Sequence, residues 1–155
     1  MPARYKSRQR ALQVLFQCDI REMSALEGVR AYYDSLYLEE GDEVPEQDRF
    51  MEILVGGTCE ALPVCDELIG KHSANWRIER MPLVDRNILR MAIYEMIEVG
   101  TPPPVVIDQA IELARRFSGE ESVPFVNGVL DAIRREQASR AVAAAPGAGD
   151  EDSAG

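Results

Sequence analysis

Arg4, Lys6, Arg8 and Arg10 stand within the first ten residues with no acid among them, on a chain in which 27 Asp and Glu outnumber 17 Lys and Arg. Cationic side chains at this density bind anions. A positive segment on a chain of net charge −10 points to a nucleic-acid backbone docked at that end rather than wrapped around the surface. Residues for covalent or metal chemistry are sparse. Cys18, Cys59 and Cys65 are odd in number and form no C-x-x-C, and His72 is the one histidine, so neither a disulfide framework nor a zinc site is supported. Buried, reduced thiols are expected instead. Gly56 and Gly57 lack the Lys and Ser/Thr of a phosphate-binding loop and read as a place where helices come close. With no glycine-rich cofactor loop and no triad, neither an enzyme nor a cofactor is expected.

The elements that must position these cations are helices, because no segment shows convincing period-two alternation. Four Phe, five Tyr and one Trp leave the core to Leu, Ile, Val, Met and Ala, a helical palette. The first helix is predicted from Arg4 to about Glu22. Leu12, Leu15 and Asp19 or Cys18 lie along one side with Ala11, Val14 and Cys18 beside them, and the charged first two turns are too polar to be core. Ser24 can cap a second helix to about Glu39, before an acidic loop around Gly41. Pro45 and Glu46 open a third, with the stripe Phe50, Ile53, Leu54, Gly57, Ala61, Val64 and Leu68 and a kink or break between Cys59 and Pro63.

Asn75 to Arg80 is expected to hold a short helix anchored by Trp76 and Ile78. Val84 to Ile97 is apolar over more than half its circumference and reads as a central helix, with Met81, Met91 and Met96 as core filler. Thr101-Pro102-Pro103-Pro104 forces an extended break. The next helix runs to Phe117, with Ile107, Ala110, Ile111, Ala114 and Phe117 inward, and Ser118-Gly119 ends it. Ser122 can cap the last, whose stripe Val126, Val129, Leu130 and Ile133 continues to about Glu136. This reading gives one domain, residues 1–137, and a disordered Ala, Gly and acid tail, residues 138–155. No run is long enough to span a bilayer and the start lacks a signal-peptide core, so a cytoplasmic protein without membrane association is expected.

Asn127-Gly128 is a strong turn signal, yet the apolar stripe of the last helix passes through it unbroken. A glycine there costs roughly 1 kcal/mol against alanine, a cost tolerated where another backbone must come close. Around it the residues become recognisable. Phe125-Val126-Asn127-Gly128-Val129-Leu130-Asp131, the run from Val84 to Glu95, Ala110-Ile111-Glu112-Leu113-Ala114 and the opening Arg8 to Phe16 closely resemble the NusB family of bacterial transcription antitermination factors. The resemblance covers about Arg4 to Arg135.

The resemblance implies an all-α fold of about seven helices in two packed three-helix subdomains, and a non-catalytic adaptor. Such proteins pair with NusE, a small-subunit ribosomal protein. The pair binds single-stranded boxA RNA, and the complex helps RNA polymerase read through terminators in ribosomal RNA operons. By resemblance, Arg4, Lys6, Arg8 and Arg10 take the place of the family's arginine-rich start, Phe125 that of its RNA-side aromatic, and Glu121 that of an acidic position that tunes RNA binding. Phe16 and Asp85 correspond to the NusE-facing aromatic and acid. Here Tyr5 and Ser7 interrupt the basic series, and at about 100° per residue Arg4 and Arg8 share one side of the helix while Lys6 and Arg10 take the other.

If all four cations reached phosphate, the salt slope would be roughly −3, a loss of about fifty-fold between 50 and 200 mM. A grip that modest, on an acidic body, predicts that NusE strengthens RNA binding. Other readings stay open. Phe125 and Phe16 can be core aromatics, Asp85 can simply favour a helix N-terminus, and the basic start can be a solvated helix end. NusB-like domains also occur fused ahead of RNA methyltransferases, for which this chain is expected to be too short, and a protein-interaction bundle without RNA is a third possibility.

Overall fold

The computed structural model describes residues 3–40, 45–74 and 76–144, and among them there is no strand. Seven α-helices follow one another: α1 Arg4–Arg21, α2 Ala25–Glu40, α3 Arg49–Glu60, α4 Leu62–His72, α5 Leu83–Tyr94, α6 Pro103–Phe117 and α7 Ser122–Ala144. A 3-10 turn, Ile78–Arg80, precedes α5, and a π-helical turn, Glu95–Val99, extends it to Gly100, whose φ of 82° breaks the helix. Helices α1, α2 and α3 pack on one another, as do α5, α6 and α7, and α5 lies against α1 and α3. The expected fold of two packed three-helix groups is present, with α4 against both α5 and α7.

Local chemistry sets most of the boundaries. Glu22 turns left-handed after α1, and the Ser24 hydroxyl accepts the Glu27 N–H at the start of α2. Pro63 falls in the first turn of α4, where its missing N–H costs nothing, so the chain breaks at Ala61 as expected. The third helix starts later than predicted. Pro45, Glu46 and Gln47 are outside it, because Asp48 accepts the Met51 N–H at 2.9 Å and caps the helix there. Ile53 and Val64 are exposed, and Met51, Val55 and Cys65 replace them in the core.

The core runs through all three methionines named above and the stripes of α1, α5, α6 and α7. Cys18 and Cys65 are buried free thiols, pushed by burial to about 11 and about 12, and Cys59 is half-buried and free. A Cβ on Gly57 would collide with the Tyr94 ring, which bears out close α3–α5 packing. Gly128 behaves otherwise. Nothing among the described residues lies within 4 Å of its Cβ position, so no backbone comes close to it there, and it sits on the open side of α7. Helix α7 continues to Ala144, so residues 138–144 of the proposed tail are helical. Residues 145–155 and the centre of the acidic loop, 41–44, lie outside the described residues.

Candidate nucleic-acid interface

Helix α1 opens at Ala3 with no side-chain cap and no acid in its first turn. Cations there oppose the positive end of the helix dipole, so the segment gains from a bound anion. The four basic residues nevertheless have different fates. Arg4 and Lys6 are exposed, and the Arg4 guanidinium lies 3.9 Å from the centre of the Phe50 ring, a cation–π contact that fixes its direction. Arg10 is one-third exposed and donates to Asp48 Oδ2 at 3.0 Å.

Arg8 is not part of the exposed set. Only 5% of it is exposed, and it forks onto Glu95, Nε to Oε1 at 2.8 Å and Nη2 to Oε2 at 2.6 Å, with Nη1 3.4 Å from Gln109 Oε1. Glu95, 1% exposed, heads the π-helical turn. Arg8 therefore locks α1 to the end of α5, and it is withdrawn from phosphate contact by a bidentate pair. The reading of the first two turns as too polar for core also fails at Ser7, 1% exposed, which donates to Asp48 Oδ1 at 2.9 Å. The missed signal was phase: stepping back three or four residues from Ala11 and Leu12 lands on Ser7 and Arg8.

Asp48 is the hub beneath the basic end. Burial alone would push its carboxyl up, but the Met51 N–H, Arg10 and Ser7 outweigh burial and hold it below the ordinary value. Its own N–H donates to the Tyr33 oxygen at 2.8 Å. The helical phase expected for the basic series holds: Arg4 and Arg8 both face Phe50, while Lys6 and Arg10 turn to the other flank. There they line a cleft of about 410 Å³ with Leu12, Phe16, Val84 and Phe117. Phe117 is 47% exposed, not inward as predicted, and Arg116 lies 5.4 Å from its ring centre.

Of the two positions matched to the partner side, Phe16 lines this cleft and Asp85 does not. Asp85 is 3% exposed, accepts the Ser122 hydroxyl at 3.0 Å through Oδ2, and ties the start of α5 to the start of α7, with Oδ1 unpartnered. Beside it runs a polar network that periodicity did not reveal. Arg86 forks onto Asp19 at 2.7 and 2.6 Å, Asn87 donates to Asp19 at 2.9 Å, and Arg90 joins Asp19 to Asp66. Burial raises Asp19, and the Arg86 and Asn87 hydrogen bonds more than reverse it, leaving its carboxyl below the ordinary value. These polar residues were hidden on a helix that is apolar over most of its circumference.

Glu121 and Phe125 lie past the end of α6, Glu121 exposed and Phe125 half-buried. The Phe125 ring meets Trp76 with centroids 6.2 Å apart and planes tilted by 50°. Trp76 was expected to anchor a short helix from Asn75, which lies outside the described residues, but only Ile78–Arg80 forms a turn, and Trp76 is 53% exposed. Among the described residues no cluster of His, Cys, Asp and Glu can hold a metal, and no helix is long and apolar enough to cross a membrane.

The NusB family model matches residues 5–135. The chain is 58% identical over 136 residues to the transcription antitermination protein NusB of Solibacter usitatus, covering 88% of this chain and 91% of that one. It is 43% identical over 148 residues to NusB of Acidothermus cellulolyticus, covering 95% and 97%. Among solved structures it is similar to T. maritima NusB, with a TM-score of 0.73 at 32% identity over 87% of this chain and 92% of that one. It also resembles a chain from a crystal structure of the antitermination factors NusB and NusE in complex with dsRNA, with a TM-score of 0.73 at 26% identity, over 87% and 99%.

Proposed function

The chain belongs to the NusB family of transcription antitermination proteins, and from that premise we propose that it is a non-catalytic adaptor that pairs with NusE to bind single-stranded boxA RNA of ribosomal RNA operons and promote read-through by RNA polymerase. The observation that carries this reading is the uncapped, acid-free start of α1, where Arg4 stands exposed over Phe50 and Lys6 stands exposed at the cleft, on an otherwise acidic chain. Single-stranded RNA is held by cations on phosphates and by flat side chains under unstacked bases. Arg4, Lys6 and Arg10 supply the first, and Phe125 the second, with Glu121 one turn before it setting the local charge. Phe16, in the cleft wall, is the residue offered to NusE. Asp85 contributes to that face from beneath, by fixing the helix starts that frame it.

With Arg8 committed to Glu95, at most three cations remain, one of them Arg10 already bonded to Asp48, and the salt slope is no steeper than about −2, a loss of at most roughly twenty-fold between 50 and 200 mM. A partner that neutralises part of the acidic surface then strengthens binding. Anisotropy of a labelled boxA-like RNA, titrated with the protein with and without NusE, tests this against a scrambled strand and a duplex at the same salt. Selective binding of the single strand, raised by NusE and reduced by the double substitution R4E/K6E, is expected. Equal affinity with and without NusE would sink the adaptor reading. Intact RNA binding in R4E/K6E would move the site away from α1.

A further inference from the structure

We propose that Trp76 is a second base-stacking surface, continuous with Phe125, so that single-stranded RNA is held by an aromatic pair bridging the α4–α5 connection and α7. The inference rests on the RNA-adaptor reading and adds to it a residue and a place. An indole is among the largest apolar side chains, and leaving more than half of one in water forfeits the gain of burying it. Trp76 is held in that position by construction. Its backbone N–H donates to the Ser73 carbonyl at 3.1 Å, and the Ser73 hydroxyl donates back to the Trp76 carbonyl at 2.9 Å. Ser73 itself is buried, and Ala74 between them has φ of 51°, a left-handed conformation that side chains other than glycine seldom adopt.

The turn is also anchored to α7. His72 Nε2 lies 2.6 Å from Glu136 Oε2, and Lys71 pairs with the same carboxylate. Phe125 is eleven residues earlier on that helix, about 16 Å at 1.5 Å per residue, so His72 and Trp76 meet α7 at two separate places, Glu136 and Phe125. The 50° tilt between the rings is a supporting contact rather than a parallel stack, and it leaves the indole without a parallel ring over its face.

Charge favours a polyanion as the occupant. From Lys71 to Arg80 the cations Lys71, Arg77 and Arg80 meet one acid, Glu79, on a chain that is acidic overall. Arg77 and Arg80 are exposed and form no ion pair among the described residues. Exposed aromatics flanked by free arginines bind single strands without requiring a base sequence, because every base offers a π face.

Trp76 is the one tryptophan of the chain, so its fluorescence reports this site alone. A boxA-like RNA is titrated into the protein with NusE present, following RNA anisotropy and tryptophan emission together. The emission is expected to quench in step with the anisotropy, Trp76→Ala to weaken binding about ten-fold by the same factor at 50 and 200 mM salt, and Trp76→Phe to restore most of it. R77Q/R80Q should instead flatten the salt dependence. An anisotropy rise with unchanged emission and unchanged affinity in Trp76→Ala overturns the second stacking surface and leaves the adaptor standing. Loss of NusE affinity in Trp76→Ala, with RNA binding by the protein alone intact, overturns it in favour of a protein contact. No anisotropy rise with a folded protein removes both readings.

Discussion

At the scale of single residues, the division among the four basic side chains of α1 determines what the segment can do. Arg8 and Glu95 form a buried, bidentate pair, and such a pair is worth little beyond an apolar replacement while either half alone is costly. Arg8→Ala, leaving the Glu95 carboxylate buried without its cation, is expected to cost about 3–5 kcal/mol in urea unfolding. The double change R8M/E95L is expected to recover most of it. Equal losses in the single and double variants would show that shape, not charge pairing, holds this contact. The same pair makes Arg8→Glu an unsuitable probe of RNA binding, because it would set two buried carboxylates against each other.

Among the elements, α7 departs most from its sequence signal. Asn127-Gly128 suggested a turn or a close backbone approach, but the helix passes through both and Gly128 faces open space. Its cost is then only that of glycine in a helix, and Gly128→Ala is expected to stabilise the protein by about 0.5–1 kcal/mol, a rise of a few degrees in thermal midpoint. A lower midpoint would mean that the open side of α7 is closer to another group than the structure places it. Helix α3 gives the complementary case. Pro45 is a good first-turn residue by type, yet Asp48 wins the cap because it also bonds Arg10, Ser7 and Tyr33, partners brought by α1 and α2.

For the whole molecule, two electrostatic effects of opposite sign govern stability against pH. Protonating surface carboxylates relieves the self-repulsion of a chain at net charge −10. Asp48, however, is held below its ordinary value in the folded state, so the unfolded chain binds its proton first. The stabilisation is complete above the ordinary carboxylate range and is lost as pH falls through the folded value. Measuring the wild type against Asp48→Asn cancels the shared repulsion. The wild-type advantage is expected to be about 1–2 kcal/mol at pH 6 and to shrink steadily below pH 4. An advantage constant down to pH 2.5 would show that hydrogen-bond geometry alone carries the difference.

The helices, most of their breaks, the contrast between a basic start and an acidic chain, and the family to which the chain belongs are all legible in the order of its residues. These are local or compositional properties: capping, proline and apolar period act within a few residues. Packing assigned the four cations their separate fates, with Arg8 withdrawn onto Glu95, Arg10 bonded to Asp48, and Arg4 and Lys6 exposed. Arg8 finds its acid 87 residues away, a distance over which no periodicity carries information. It likewise decided that Asp85 is an internal brace, that Phe117 faces solvent, and that Trp76 stands beside Phe125. A helix's own pattern identifies one stripe, whereas its neighbours decide how far that stripe is covered, and buried polar groups are placed by partners that only packing brings within hydrogen-bond reach.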